Sequence, residues 1–137
     1  MNRQKAREYM MTVLFQMEAM NDFDIDEMDH YLNNEVRGVK LGNQKAYCEN
    51  IYSLACNKIK EIDDFISSNS RKWNLKRTPK TDLAILRLST IEIIYMDDIP
   101  DSAAINEAVE LAKTYCEDNA PSYINGILGA ISRGKNS

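Results

Sequence analysis

At 137 residues, with 17 basic against 21 acidic side chains and a net charge of −4, the chain has the length of one domain, able to bury roughly two-thirds of its extended-chain surface without staples. The charge excludes a generic polyanion binder, and three cysteines, odd in number and without CxxC spacing, point to free thiols in a reducing compartment. No apolar run approaches the ~18 residues needed to span a bilayer, and charges occupy the N-terminus where a signal peptide would be apolar, so a cytoplasmic protein with no membrane attachment is expected.

Ala6, Met10, Val13, Leu14 and Met17 recur at helical spacing, predicting an amphipathic first helix that begins with Arg3, Lys5 and Arg7. Cations at a helix N-terminus oppose the macrodipole, so something other than helix stability placed them there, and a polyanion is the natural candidate. The stretch from Glu18 to Asp29 holds six acids. Asp22 or Asp24 can cap a second helix that carries Ile25, Met28 and Leu32 inward and runs to about Val36, with Gly38 and Gly42 in the turn after it. His30, the only histidine, lies here among acids. A third helix spans about Asn43 to Asn57 with Tyr47, Ile51, Leu54 and Ala55 on one face. The pattern slips near Asn57, and a shorter fourth helix with Ile59, Ile62, Phe65 and Ile66 ends in the polar SSNS stretch. In the basic connection that follows, Arg71, Lys72, Lys76, Arg77 and Lys80 crowd together, and Trp73 and Leu75 read as apolar anchors.

Thr78 and Pro79 read as cap and first position of the next helix, DLAILRLSTIEIIY, from Asp82 to Tyr95. Its apolar residues occupy more than one stripe, so it is buried on most sides: Leu83, Ile85, Leu86, Leu88, Ile91, Ile93 and Ile94 are each worth ~1.5–3 kcal/mol when buried. This is the expected central helix. After a break at Pro100, AAINEAVELAK starts a sixth helix whose apolar stripe, Ala104, Ala108 and Leu111, also contains Glu107. A carboxylate on such a stripe requires a partner, and Arg87, set between Leu86 and Leu88, is the complementary anomaly, so an Arg87–Glu107 ion pair is expected to join the two helices. A last helix after Pro121 carries Tyr123, Ile124, Ile127, Leu128 and Ile131 inward, and Gly126 and Gly129 within it suggest close approach of another backbone. No repeat or linker divides the chain, which reads as one all-α domain over residues 1–137, about seven helices in two small bundles around the central one.

The residues offer little to catalysis. One histidine, no glycine-rich phosphate loop and no paired carboxylates outside solvated helix faces leave no candidate catalytic residue, metal ligand set or cofactor site. A binding protein, not an enzyme, is expected.

Four motifs in order, QKAREYMMTVLFQ, DLAILRLSTIEIIY, DIPDSAAINEAVELAK and SYINGILGAI, resemble the NusB transcription antitermination and termination factors over both ends and most of the C-terminal half. The resemblance implies an all-helical fold and binding of single-stranded boxA RNA from ribosomal RNA leader transcripts. The implied protein partners are the ribosomal protein NusE and the RNA polymerase antitermination complex. The family's arginine-rich start falls on Arg3, Gln4, Lys5 and Arg7, which it implies meet RNA phosphates, with Gln4 interrupting the basic run. Its stacking aromatics fall on Phe15, where tyrosine is more usual, and Tyr123. Ala120 stands where a serine often caps the last helix, leaving Asn119 as the cap beside the RNA, and Asp82 matches the position that meets the protein partner. The alternatives are the RNA-binding part of a ribosomal RNA cytosine methyltransferase, which would need a glycine-rich cofactor domain, and a protein-only helical adaptor, which has no use for a basic first helix.

Overall fold

The computed structural model describes residues 1–70, 74 and 76–135. Among these residues there are seven α-helices, two short 3-10 turns and no strand. They are α1 (Arg3–Ala19), α2 (Met28–Leu32), α3 (Asn34–Arg37), α4 (Lys45–Ser68), α5 (Lys80–Tyr95), α6 (Asp101–Tyr115) and α7 (Ala120–Lys135), with the 3-10 turns at Ile25–Glu27 and Gly42–Gln44. Trp73, Leu75, Arg71 and Lys72 of the basic connection lie outside the described residues.

Every residue of α5 from Asp82 to Ile93 is buried. A helix with no dry face to spare must be covered all round, and α5 packs against α1, α4, α6 and α7. The helices α1, α2 and α4 pack among themselves, as do α6 and α7, so the two small bundles share the central helix. No helix among the described residues is long and apolar enough to cross a membrane.

Seven helices are present, but their division differs from the sequence reading. The expected second helix is broken at Asn33, whose backbone is extended (φ −82°, ψ 122°) and whose side chain accepts from the Glu35 amide at 2.8 Å to cap α3. Side chain and backbone compete locally here, and the asparagine wins over the apolar period. Asp24, one of the two expected caps, caps the 3-10 turn instead, accepting from the Asp26 amide at 2.9 Å. The expected third and fourth helices are the two segments of α4, which part at a non-helical residue, Lys58 (φ −128°, ψ 18°), where the pattern slips near Asn57. At the start of α5, Pro79 takes the cap position and Thr78 does not cap, since its hydroxyl donates to the Asn74 carbonyl at 2.9 Å. The glycines of α7 do not admit another backbone: a Cβ at Gly126 would meet nothing within 4 Å, and one at Gly129 would meet only the end of the Arg133 side chain at 3.2 Å.

The Arg87–Glu107 pair does not form. Arg87 reaches the opposite way, its Nε and Nη2 donating to the two carboxylate oxygens of Asp63 on α4 at 2.9 and 2.8 Å, and its Nη1 to Glu18 on α1 at 2.7 Å. The guanidinium also lies over the Phe23 ring, 5.2 Å from its centroid. Glu107 is half-buried, forms no ion pair among the described residues, and acts on Arg7 by charge alone. The expectation was right that Arg87 needs acids and wrong about which helix supplies them. At the far end of the molecule, Lys135 donates to Asp101 and to the Ile93 carbonyl, each at 2.7 Å, and Ser132 to Asp101 at 2.6 Å, tying α7 to the beginning of α6.

Candidate nucleic-acid and partner interface

The start of α1 is presented by its cap: the Asn2 side chain accepts from the Lys5 amide at 2.8 Å. Gln4 and Lys5 are exposed, and Lys5 pairs with Glu8 at 3.5 Å across one turn of surface helix, a contact too weak to hold it. Arg3 is half-buried. Its Nε donates to Gln44 Oε1 at 2.6 Å, and its guanidinium carbon sits 4.2 Å from the centroid of the Tyr47 ring.

Arg7 belongs elsewhere. It is 8% exposed, and its Nε and Nη2 hold both oxygens of Glu92 at 2.9 to 3.2 Å. Glu92 is 1% exposed between Ile91 and Ile93 and also accepts from the Tyr47 hydroxyl at 2.5 Å. Burial works against the Arg7 charge, and Glu92 outweighs it, holding the guanidinium pKa above its ordinary value. With Nε and Nη2 turned to a core carboxylate, Arg7 is not presented on the surface beside Arg3, Gln4 and Lys5, as the expected basic run required. Burial also pushes the Tyr47 phenol pKa up, so it remains a proton donor. Sequence reasoning missed this network, although Glu92 in IEII is as visible an anomaly as Arg87 in LRL.

Phe15 lies roughly 18 Å further along α1 than Arg3, at ~1.5 Å per residue, and is 38% exposed, unusual for a phenylalanine on a helix packed against the core. It does not line the cavity that holds the remaining candidates. That cavity, of about 360 Å³, is bounded by the beginning of α5 and the α6–α7 connection and is lined by Asp82, Cys116, Glu117, Asn119, Tyr115 and Tyr123, among others. Asp82, assigned to the protein partner by resemblance, and Asn119 and Tyr123, assigned to RNA, thus line one cavity. Asn119 is exposed and Tyr123 half-buried. One turn beyond Tyr123, the bare Gly126 leaves that face of α7 open.

Asp82 is 4% exposed and has no cationic partner among the described residues. Burial pushes its pKa up against a hydrogen bond from the Cys116 thiol, and Glu117 adds to the rise. Burial and the Asp82 carboxylate together push the Cys116 thiol up to about 12, so the sulfur keeps its proton and donates it. A carboxyl whose folded pKa is raised supports the fold below its unfolded pKa and withdraws that support as pH rises through the folded value. Asp82→Asn is therefore expected to raise the Tm at neutral pH, and the gain over wild type should vanish when both are melted below the ordinary carboxylate range. Among the described residues no group of three or more histidine, cysteine or acidic side chains is placed to hold a metal ion. All three cysteines are free thiols.

A sequence model of the NusB family matches residues 4–133. The chain is 46% identical over 129 residues to the transcription antitermination protein NusB of Alkaliphilus oremlandii, covering 94% of this chain and 91% of that one. It is 41% identical to the protein of the same name from Natranaerobius thermophilus, over 99% of this chain and 98% of the relative. Among solved structures it superposes on T. maritima NusB with a TM-score of 0.83 at 30% identity, over 97% of this chain and 92% of that one.

Proposed function

The chain belongs to the NusB family, and from that premise we propose that it is a cytoplasmic transcription antitermination factor that binds single-stranded boxA RNA jointly with the ribosomal protein NusE. Arg3, Gln4 and Lys5 meet the phosphates, Phe15 and Tyr123 offer faces to unpaired bases, and Asn119 supplies a polar edge beside Tyr123. Asp82, at the opening of α5, meets the protein partner. No catalytic step, metal or cofactor enters this reading.

The observation that carries it is the shared cavity. Asp82 lines the same cavity as Asn119 and Tyr123, so a partner seated at the beginning of α5 and a strand passing over the tyrosine are neighbours. Each can then bury surface on the other, which makes the binding of one favour the binding of the other by the same factor. Phe15 and the basic start of α1 extend the surface along the first helix. Different contacts along one extended strand suit single-stranded RNA, whose bases are free to turn toward aromatic side chains.

The phosphate part of the reading is tested by Arg3→Ala combined with Lys5→Ala. The pair should weaken boxA binding and reduce the slope of log affinity against log salt by about 0.7 for each phosphate that is no longer neutralised, with no change in helical content or Tm. An unchanged slope would move the phosphate contacts off α1, with Lys76, Arg77 and Lys80 the next cations to replace.

A further inference from the structure

We propose that Gln44 and Tyr47 form a seat that positions Arg3 for RNA, an inference that rests on the reading of Arg3 as a phosphate contact. Two of the arginines on this molecule are held by acids: Arg7 by Glu92, and Arg87 by Asp63 and Glu18. Arg3 is held by neutral groups, the Gln44 amide oxygen at 2.6 Å and the face of the Tyr47 ring at 4.2 Å. An acid would fix the guanidinium and cancel its charge. An amide and a ring face fix it and leave the charge to act on something else.

The donors that remain are suited to an oxyanion. Arginine carries five N–H groups, and the bond to Gln44 uses the one on Nε. The Nη edge, the one that binds phosphate in a two-pronged fashion, makes no hydrogen bond to any described residue. Arg37 is also held by an amide and a ring, Gln16 and Tyr31, but it donates to Gln16 from Nη2 and so spends the edge that Arg3 keeps open. A flexible side chain that must be ordered on binding loses affinity, and one already ordered does not.

The seat is itself built to be stiff. Gln44 closes the 3-10 turn that begins at Gly42, whose left-handed backbone (φ +57°) a residue with a side chain would adopt only with strain. Tyr47 stands in the first turn of α4 with its ring buried, and its hydroxyl is anchored on Glu92 Oε2, to which Arg7 Nε also donates. The buried Arg7–Glu92–Tyr47 chain thus ends at the surface under Arg3.

Fluorescence anisotropy with a labelled single-stranded boxA RNA, on the full chain, tests the seat. Gln44→Ala should weaken binding about threefold and Tyr47→Leu by a similar or larger factor, in keeping with the size of an exposed cation–ring contact. Tyr47→Phe keeps the ring and loses the anchor on Glu92, so it should lower the Tm yet bind RNA more tightly than Tyr47→Leu, whereas a purely structural Tyr47 would leave the RNA affinity of both folded variants alike. In an Arg3→Ala background, neither Gln44→Ala nor Tyr47→Leu should weaken binding further. Gln44→Ala, on the surface, keeps the test sharp should Tyr47→Leu not fold. Losses that persist undiminished without Arg3, or full affinity in Gln44→Ala while Arg3→Ala is weak, would overturn the seat and spare the phosphate reading. Full affinity in Arg3→Ala would remove both.

Discussion

Arg7→Met is expected to lower the free energy of unfolding by about 3–5 kcal/mol, out of a total of about 5–15 kcal/mol for a domain of this kind. The size follows from what is left behind. Glu92 is 1% exposed, flanked by isoleucines, and loses the guanidinium that held both its oxygens, keeping only the Tyr47 hydroxyl. An anion stranded in the core with one hydrogen bond costs far more than the pair contributed while intact. Adding Glu92→Gln should recover a large part of the loss, because a neutral amide can still accept from Tyr47. Urea unfolding of wild type, both single variants and the double variant gives the coupling directly. A coupling near zero would mean that Arg7 contributes through packing of its stem alone. The folded double variant should also bind boxA RNA within a small factor of wild type, since Arg7 is 8% exposed and turned toward Glu92.

Arg87→Met is the second large effect, expected at about 3 kcal/mol, the lower end of the range for a broken buried pair. Arg87 is itself nearly inaccessible, with its side chain 6% exposed, but the side chains of Asp63 and Glu18 are 21% and 29% exposed, and once abandoned they can turn toward water. The guanidinium joins α1, α4 and α5, so its loss should be felt in all three. Asp63→Leu should couple strongly with Arg87→Met. Glu107→Leu should be additive with it to within about 0.5 kcal/mol, as sites without a shared contact are, and strong coupling there would restore the pair that the structure does not contain.

The two ion pairs show how far the sequence could be read. That α5 is central followed from Leu83 to Ile94, because no surface helix can hold so many apolar residues, and its burial on every side bears this out. That Arg87 needs acids followed from its neighbours. Which acids it finds depends on the rotation of α5 about its axis, and Asp63 and Glu18 stand 24 and 69 residues away in sequence. Glu107 was nominated because it sits on an apolar stripe, yet that stripe brings it toward Arg7. The kink at Lys58 was legible as the slip near Asn57, whereas the break at Asn33 was hidden for a local reason: the apolar period runs on through it, and only a capping asparagine decides otherwise. Of the candidate site, Arg3 and Lys5 were legible as a basic start of the first helix, and Phe15 only through the family resemblance. The cavity shared by Asp82, Asn119 and Tyr123 was not, because it joins the beginning of α5 to the α6–α7 connection across more than thirty residues of chain.

That cavity supplies the central claim, that RNA and protein partner occupy adjoining surfaces and strengthen each other. Its most direct test is a titration of boxA RNA, and of a scrambled RNA of equal length, into the protein alone and into the protein saturated with NusE, at fixed salt. The expected result is boxA binding tighter with the partner than without by at least about fivefold, the lower end of usual couplings. That gain should be reduced by Asp82→Asn and be absent for the scrambled strand. Equal boxA affinity with and without the partner would contradict the claim.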